Sequence, residues 1–411
     1  MMDGLNSVRI TRSLKAAWGL KGRLQVVAIG VVIIVGFTLF ASLGPTSKQA
    51  FGPSSRCQLP AIYNFGDSNS DTGSVSAAFG RVPYPNGISF LGRPSGRYCD
   101  GRLIIDFIAE KLGLPYLSAF LDPLEGSFQH GADFAASGST IRKVDGKMYG
   151  TGINPLSLSV QLLQFEQLKE CTGELYEQAT RFDIKSRLPK PEDFSRALYT
   201  FDIGQNDLHN ALVTMTEDQV QKLIPELINQ FASAIERLHQ LGARIFWVHN
   251  TGPLGCLPYL LMRYPSKPEN LDETGCIKSY NELAQEFNRQ LKDRINTLRI
   301  KLKHSLLVYV DVYSAKYSLI SNAKQNGFID PLGYCCKHAE NSKLHCWSRG
   351  TVNGTAVHAT PCENPAKHIS WDSIHYTEAA NKWVANRISD GLFSEPPLPI
   401  SGLCKKPLPA P

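Results

Sequence analysis

The sequence predicts an α/β fold in which a parallel β-sheet is covered by helices on both faces. Short apolar runs near residues 61–65, 197–203, 244–249 and 306–311 have the length and composition of buried strands. Longer amphipathic stretches between and after these runs have the pattern of helices. Strands that alternate with helices along a chain are typical of parallel sheets, because the helices form the crossover connections.

One domain is expected to hold this sheet. The chain has 411 residues, of which 43% are hydrophobic and 19% charged, so it has enough apolar residues for a large core. The length alone would allow two domains, but candidate site residues come from both ends of residues 57–404. The helices of this domain are expected near residues 103–112, 158–170, 217–241, 277–302 and 377–392.

The first strand leads into a candidate nucleophile. The run 61–65 is followed by Gly66, Asp67 and Ser68. Glycine lets the chain turn sharply as the strand ends, and open α/β folds place their sites at the carboxyl ends of strands. Because Gly-Asp-Ser is also common in ordinary turns, the interpretation of Ser68 as a nucleophile depends on partners elsewhere in the chain.

Two such partners lie near the C-terminus. Asp372 and His375 are three residues apart, so one short turn can present both side chains. An Asp that holds one ring nitrogen of a His leaves the other nitrogen free to take a proton from a serine hydroxyl. Ser68, His375 and Asp372 are therefore the predicted nucleophile, base and orienting acid.

Two further segments could stabilise an oxyanion. Asn206 follows the apolar run 197–203, and Gly138 lies in the small-residue segment 130–139. Taken alone, each residue would more often be a cap or a tight turn. Together with the nucleophile they predict an oxyanion hole made of the Ser68 and Gly138 backbone N–H groups and the Asn206 amide.

This ordered set resembles the plant GDSL esterase/lipase family within the SGNH hydrolases. The four hallmark residues of the family fall on Ser68, Gly138, Asn206 and His375, and the resemblance covers roughly residues 57–404. It implies a flavodoxin-like, three-layer α/β/α sandwich and a serine esterase that needs no cofactor. Other matching stretches are residues 100–107, 249–256 and 375–381.

The resemblance has one departure and suggests a branch. Asn69 stands where the family name has leucine, a change that many plant members share. The chain looks closest to the nodulin-like branch, in which some members are labelled fucosidases and others polysaccharide deacetylases. A fucosidase-like glycosidase is therefore an alternative, although a retaining glycosidase needs two carboxyl groups about 5–5.5 Å apart and no such pair stands out.

The N-terminus predicts a membrane anchor. A basic tail, 1–23, precedes an apolar stretch, 24–44, in which 18 largely apolar residues would span about 27 Å as a helix. The basic flank predicts a cytoplasmic N-terminus and a type II orientation. A cleaved signal peptide is the alternative, but the apolar run exceeds the usual ~7–15 residues. Residues 45–56 would form a stem, and 405–411 a C-terminal tail.

The cysteines favour the same topology. All ten follow the apolar stretch, and an even number suits a lumenal or extracellular domain with disulfides. Asn353 begins an Asn-Gly-Thr glycosylation acceptor. Residues 335–346 contain Cys and His side chains of the types that bind zinc, but no metal is expected, because their spacing matches no standard finger and adjacent cysteines are more natural in disulfides.

The expected partners follow from these features. The net charge of +6 is modest and partly lies in the tails, so no nucleic-acid surface is predicted. The membrane is a predicted partner through residues 24–44. Acetyl groups on a polysaccharide such as xylan, in the Golgi, are the favoured substrate, with residues 93–98 either contacting sugars or forming a plain exposed loop. A secreted lipase or acyl esterase is the alternative.

Overall fold

The computed structural model describes residues 59–403 except 91, 93–94, 123, 125–126, 144–153, 179–184, 337–348, 353 and 359. The chain divides into two units, Met1–Arg56 and Cys57–Pro411. The predicted tail, anchor and stem, the C-terminal tail and Asn353 lie outside the described residues. Among the helices that are described, none has both the length and the apolar character needed to cross a bilayer.

In the described part of the chain, five parallel strands form the central sheet, in the spatial order β2-β1-β3-β4-β5. A sixth strand, β8, pairs antiparallel with β5 at the edge. The strands in chain order are β1 (Ile62–Gly66), β2 (Gly131–Asp133), β3 (Leu198–Asp202), β4 (Ile245–His249), β5 (Leu306–Val310), β6 (Arg349–Val352), β7 (Thr355–His358) and β8 (Ser394–Glu395), of which β6 and β7 form a separate hairpin.

Helices connect the strands. In chain order they are α1 (Ser74–Ala78), α2 (Ile104–Leu112), α3 (Leu158–Gln178), α4 (Gln205–Thr214), α5 (Glu217–Gln240), α6 (Pro258–Arg263), α7 (Lys278–Lys301), α8 (Val312–Ser321) and α9 (Glu378–Ser389). Because β1 and β3 are neighbours in register, with Gly66 opposite Asp202, the two strands end side by side.

The two faces of the sheet bury two separate apolar cores. On β1, Tyr63 and Phe65 pack into one core with α3, α5 and α7, whereas Ile62 packs into the other with α2, α8 and α9. This division follows from the strand period of two, which points successive side chains to opposite faces. The predicted α/β fold with helices on both faces is confirmed.

Two features of the sheet differ from the prediction. β2 was not predicted, because its three residues, Gly131, Ala132 and Asp133, lack the β-branched and aromatic side chains that mark strands. The strand is parallel to β1 and so belongs to the sheet. The prediction of a parallel sheet was also wrong at one edge, where the two-residue strand β8 runs antiparallel to β5.

Candidate active site

The turn that carries Ser68 is held at the carboxyl end of β1. A Cβ on Gly66 would lie 2.6 Å from the Asp202 carbonyl oxygen, so only glycine allows β1 to lie this close to β3 there. The Gln161 side chain donates to the Gly66 carbonyl at 2.8 Å and accepts from the Gly66 N–H at 2.9 Å. Asp67 Oδ1 accepts the Asn69 N–H at 3.0 Å, which closes a turn around Ser68.

Two buried carboxyl groups tie this turn to the neighbouring segment. Asp71 Oδ2 accepts the Ser137 N–H at 2.8 Å, while its other oxygen accepts the N–H groups of Gly73 and Ser74 at the start of α1. Asp133, at the end of β2, accepts the Thr72 N–H at 2.7 Å. These bonds fix the segment that contains Gly138 beside the segment that contains Ser68.

Asn206 lies in the first turn of α4, directly after β3. Its Nδ2 donates to the Ser139 carbonyl at 3.0 Å, which brings the side chain against the Gly138 segment. The next residue, Asp207, accepts the backbone N–H groups of Ile141 and Arg142 at 2.9 and 3.1 Å. Burial raises the pKa of Asp207 to about 7, against the lowering effect of these N–H groups and of the Arg142 charge.

The three predicted oxyanion donors are available in this arrangement. Within the described residues, the backbone N–H groups of Ser68 and Gly138 donate no hydrogen bond. Gly138 has a φ of 80°, a left-handed conformation that suits glycine. An amide nitrogen carries two hydrogens, so Asn206 keeps one N–H free beside its bond to Ser139.

Asp372 and His375 form a tightly bonded pair in the loop before α9. Asp372 Oδ2 lies 2.6 Å from His375 Nδ1, and its Oδ1 accepts the backbone N–H groups of Ile374 and His375 at 3.1 and 2.8 Å. Burial would raise the pKa of Asp372, but His375 and these N–H groups outweigh it and hold that pKa below its usual value. An ionised Asp372 can only accept, so the His375 proton lies on Nδ1 and leaves Nε2 for a serine.

Packing brings the His375 loop to the Ser68 turn. The His375 ring lies 5.5 Å from the Tyr98 ring, centroid to centroid. Close to Tyr98, a Cβ on Gly96 would lie 2.7 Å from the Gly73 Cα, so this loop packs directly on the end of the Ser68 segment. The described residues show no direct hydrogen bond between Ser68 and His375, a bond that often forms only with substrate.

The loop at residues 93–98 is a structural support where the structure describes it. Arg97 is 6% exposed and makes a two-pronged ion pair with Asp106, at 2.8 Å from Nε and 2.7 Å from Nη2. Its guanidinium group is therefore committed to Asp106. Tyr98 is 8% exposed and packs against His375, so neither side chain has the open surface that a sugar-binding loop needs.

The cysteines of the domain are used in two ways. Disulfides join Cys256 to Cys276 and Cys335 to Cys362, and Cys336 is also disulfide-bonded. Cys335 is therefore occupied in a disulfide and cannot be a zinc thiolate. Among the described cysteines, the buried Cys99 and the exposed Cys171 are free thiols, so the even number of cysteines did not mean that every cysteine is paired.

Comparison with known proteins identifies the family of the chain. The protein-family model described as GDSL-like Lipase/Acylhydrolase matches residues 62–388, which span the five parallel strands described above. The chain belongs to this family. The GDSL chain is thus a carboxylic ester hydrolase, as the resemblance implied.

The relatives of the GDSL chain match it over most of their length. A GDSL esterase/lipase of Arabidopsis thaliana is 51% identical over 352 residues, 85% of this chain and 90% of the relative. An Arabidopsis thaliana protein named Alpha-L-fucosidase 3 is 45% identical, over 87% of this chain and 96% of its own. A Hevea brasiliensis protein named Esterase is 44% identical, over 86% and 91%.

Proposed function

We propose that the protein is a serine esterase that removes O-acetyl groups from a cell-wall polysaccharide such as xylan. The observation that carries the esterase part is the ordered pair Asp372–His375, joined at 2.6 Å, beside a turn that presents Ser68. His375 Nε2 takes the proton of Ser68, whose oxygen attacks the ester carbonyl. The backbone N–H groups of Ser68 and Gly138 and the Asn206 amide stabilise the oxyanion.

The second half of the reaction uses the same groups. His375 gives its proton to the departing sugar hydroxyl, which leaves an acetyl group on Ser68. A water molecule then attacks this ester with His375 as its base, and acetate leaves. No metal or redox cofactor takes part in these steps.

The acetylated polysaccharide is favoured by the polar character of the segments that border the site. Polar residues of these segments include Ser137 in the Gly138 segment and the partly buried His209 and Asn210 of α4. Hydroxyl, imidazole and amide side chains near the site suit a polyhydroxylated substrate better than a long acyl chain. Within residues 57–404, no long apolar stretch is evident in the sequence that would form a lid helix over such a chain.

The proposal is tested by incubating the full chain with acetylated xylan and, separately, with a long-chain triglyceride. We expect acetate release from xylan that is absent in Ser68→Ala. Release of fatty acid without acetate would instead assign the protein as a lipase. Equal hydrolysis of p-nitrophenyl acetate by wild type and Ser68→Ala would reject the serine mechanism itself.

A glycosidase is the second candidate function, because one relative bears the name Alpha-L-fucosidase 3. Asp67 and Asp202 are carboxyl groups at the adjacent ends of β1 and β3, beside the Ser68 turn. Asp67 is engaged by Asn69 and Asp202 by His249, so they do not form the free carboxyl pair that a retaining mechanism requires beside the glycosidic bond. Nitrophenol release from a nitrophenyl fucoside that survives Ser68→Ala would favour the glycosidase.

We further infer a Golgi location, with residues 24–44 as a signal-anchor and the catalytic domain in the lumen. The support is the basic tail 1–23 before an uncharged apolar stretch, together with disulfides in the domain that follows. Within the family, we propose that the chain belongs to the nodulin-like branch. An N-terminal tag should stay on the mature protein; a tag-free protein in the medium, starting near residue 45, would show a secreted enzyme.

A further inference from the structure

The Gly138 N–H group can serve as an oxyanion donor only in one orientation of the peptide that contains it. This peptide joins Ser137 to Gly138 and is trans, so its carbonyl and its N–H point in opposite directions. A half-turn of the peptide plane would exchange the two groups and bring the Ser137 carbonyl oxygen to the side of the N–H. An oxygen there would repel the negative charge that the oxyanion hole has to stabilise.

The backbone of the turn does not select this orientation. The Ser139 N–H donates to the Ala136 carbonyl at 3.0 Å, which closes a turn with Ser137 and Gly138 at its centre. Of these two central residues only Gly138 has a positive φ, 80°, as in a type II turn. Type I and type II turns share the closing bond and differ by a half-turn of the central peptide. Since glycine adopts either sign of φ, a contact from outside the turn has to select type II.

The Asn154 side chain supplies that contact. Its Nδ2 donates to the Ser137 carbonyl at 2.8 Å, on the central peptide itself. Its Oδ1 accepts the Leu156 N–H at 2.8 Å, which fixes the nitrogen of the amide towards that carbonyl. The Asn154 backbone N–H also donates to the Gly138 carbonyl, at 3.4 Å. Asn154 is 0% exposed, so its amide is shielded from water.

Other bonds hold the turn in its place without touching the central peptide. Asp71 accepts the Ser137 N–H at 2.8 Å, and this N–H belongs to the preceding peptide. Ser139 Oγ donates to the Leu156 carbonyl at 2.7 Å, which holds the turn against the segment that contains Asn154. Loss of the Asn154 amide therefore releases the central peptide while both of these bonds remain.

We propose that Asn154 is a positioning residue for the oxyanion hole: its amide holds the Ser137 carbonyl, so that the Gly138 N–H of the same peptide points to the oxyanion. This role rests on the proposed esterase function, in which the Gly138 N–H is a donor. It does not depend on which ester is the natural substrate. Because the same hole serves attack on the ester and attack on the acyl-enzyme, loss of the amide slows both steps.

The first test compares p-nitrophenyl acetate hydrolysis by full-length wild type, Asn154→Leu and Asn288→Leu. Asn288 is the matched control, because it is also buried and its side chain bonds the N–H and the carbonyl of Thr251, each at 2.9 Å. We expect Asn154→Leu to lower kcat by about 10- to 100-fold with little change in KM, since complete loss of one oxyanion donor costs about 10²–10³. Asn288→Leu should lose stability but keep a kcat near that of wild type.

A tetrahedral adduct gives a second readout that a merely structural role would not change. Trifluoroacetone adds reversibly to a nucleophilic serine: the Ser68 oxygen bonds to the ketone carbon, the hydroxyl proton passes to His375, and the ketone oxygen becomes the oxyanion. The inhibition constant of trifluoroacetone should rise in Asn154→Leu by about the factor that kcat/KM loses. In Asn288→Leu it should stay at the wild-type value.

Gly138→Ala tests whether Asn154 acts through this peptide. Alanine disfavours the positive φ of a type II turn, so this variant should lose the same donor. The double variant Gly138→Ala/Asn154→Leu should then be about as active as Gly138→Ala alone, because losses that act through one shared group do not add. A double variant whose loss is the product of the two single losses would overturn the proposal.

Two other results would also overturn it. One is an Asn154→Leu enzyme with the kcat of wild type, and the other is a lowered kcat with an unchanged inhibition constant for trifluoroacetone. Asn154→Ala adds no bulk and gives the same comparison if the leucine variant does not fold. Ser68→Ala separates the two ideas. Hydrolysis that survives Ser68→Ala rejects the esterase mechanism, whereas hydrolysis that is lost in Ser68→Ala but kept in Asn154→Leu rejects only the role of Asn154.

Discussion

At the scale of a single residue, the Asn206 side chain has two N–H groups, one bonded within the protein and one that the proposed mechanism uses. One donates to the Ser139 carbonyl and fixes the side chain. The other is free for an oxyanion that exists only during the reaction. A donor that acts on the transition state and not on the bound ester changes kcat more than KM.

Asn206→Ala is therefore expected to lower kcat by about 10²–10³, with a small change in KM. The measurement is steady-state hydrolysis of p-nitrophenyl acetate. Asn296→Ala, on the exposed side of α7, is the matched control and should behave as wild type. A raised KM with an unchanged kcat would show that Asn206 binds the substrate without stabilising the oxyanion.

A second residue-scale effect concerns the buried Asp133. Burial, together with the neighbouring Asp71 charge, raises the pKa of Asp133 to about 8, although donors from Asn64 and Thr72 oppose the shift. A carboxyl group whose pKa is higher in the folded state stabilises the fold fully below its unfolded pKa, about 3.9. That stabilisation is lost as pH rises towards 8, by at most about 1.4 kcal/mol per pH unit.

Asp133→Asn removes this titration. The free energy of unfolding of wild type, minus that of Asp133→Asn, should fall between about pH 4 and pH 8 and then level off. Chemical denaturation at a series of pH values measures it. Asp71 titrates in both proteins, so the difference isolates Asp133 to first order. A difference that grows with pH would mean that the donors around Asp133 keep it ionised in the folded protein.

At the scale of elements, the end of β1 packs closely against β3 because Gly66 has no side chain. A Cβ on Gly66 would lie 2.4 Å from Ser70 Oγ and 2.6 Å from the Asp202 carbonyl oxygen. The hydroxyl group can rotate away, but the carbonyl belongs to the backbone of β3. Gly173, inside α3, has open space around the same position.

These two glycines give a matched pair of variants with opposite signs. Gly66→Ala should lower the free energy of unfolding by about 1–3 kcal/mol through overpacking and also lower kcat, since Ser68 is two residues away. Gly173→Ala should raise it by about 0.5–1 kcal/mol, because alanine is the better helix former. Urea denaturation of both variants is the measurement, and a stabilised Gly66→Ala would show that β1 and β3 can separate without cost.

The elements that the sequence predicted are those whose signal is local. The strands near 61–65 and 197–203 have continuous apolar runs, and the residues after them carry the motif, so both the strand and the site could be placed. Gly131 shows the opposite case. A Cβ on this residue would lie 1.8 Å from the Ile62 carbonyl oxygen, and Gly131 belongs to a strand because it pairs with Ile62, 69 residues earlier in the chain. A pattern within three residues cannot show this.

The burial of Lys316 could not have been predicted from its neighbours in the chain. Its surroundings in α8, Ser-Ala-Lys-Tyr-Ser, are typical of a helix that is partly exposed, and a lysine there is normally solvated. The packing of α8 against the loop after β4 and against Tyr376 covers this side chain. Ser68, Asp372 and His375 could be predicted without such packing, because each lies in a short motif and the separate motifs support one another.

At the scale of the whole molecule, one disulfide supports both the fold and the site. The Cys256–Cys276 bond closes a loop with a sequence separation of 20, between the end of β4 and the start of α7. Inside this loop, the Tyr259 N–H donates at 3.1 Å to the carbonyl of Ser373, in the turn between Asp372 and His375. Ser373 has a φ of 82°, a conformation that surrounding contacts must maintain.

Cys256→Ser/Cys276→Ser is therefore expected to have two effects. The free energy of unfolding should fall by about 3 kcal/mol, since the unfolded chain regains the entropy of a loop of this size. kcat should fall as well, because the loop that holds the Ser373 turn becomes less restrained. Urea denaturation and ester hydrolysis of the folded variant measure the two effects, and Cys171→Ser, which removes an exposed free thiol, is the control. A variant that loses stability but keeps the wild-type kcat would limit the disulfide to the fold and leave the orientation of His375 to Asp372 and Tyr98.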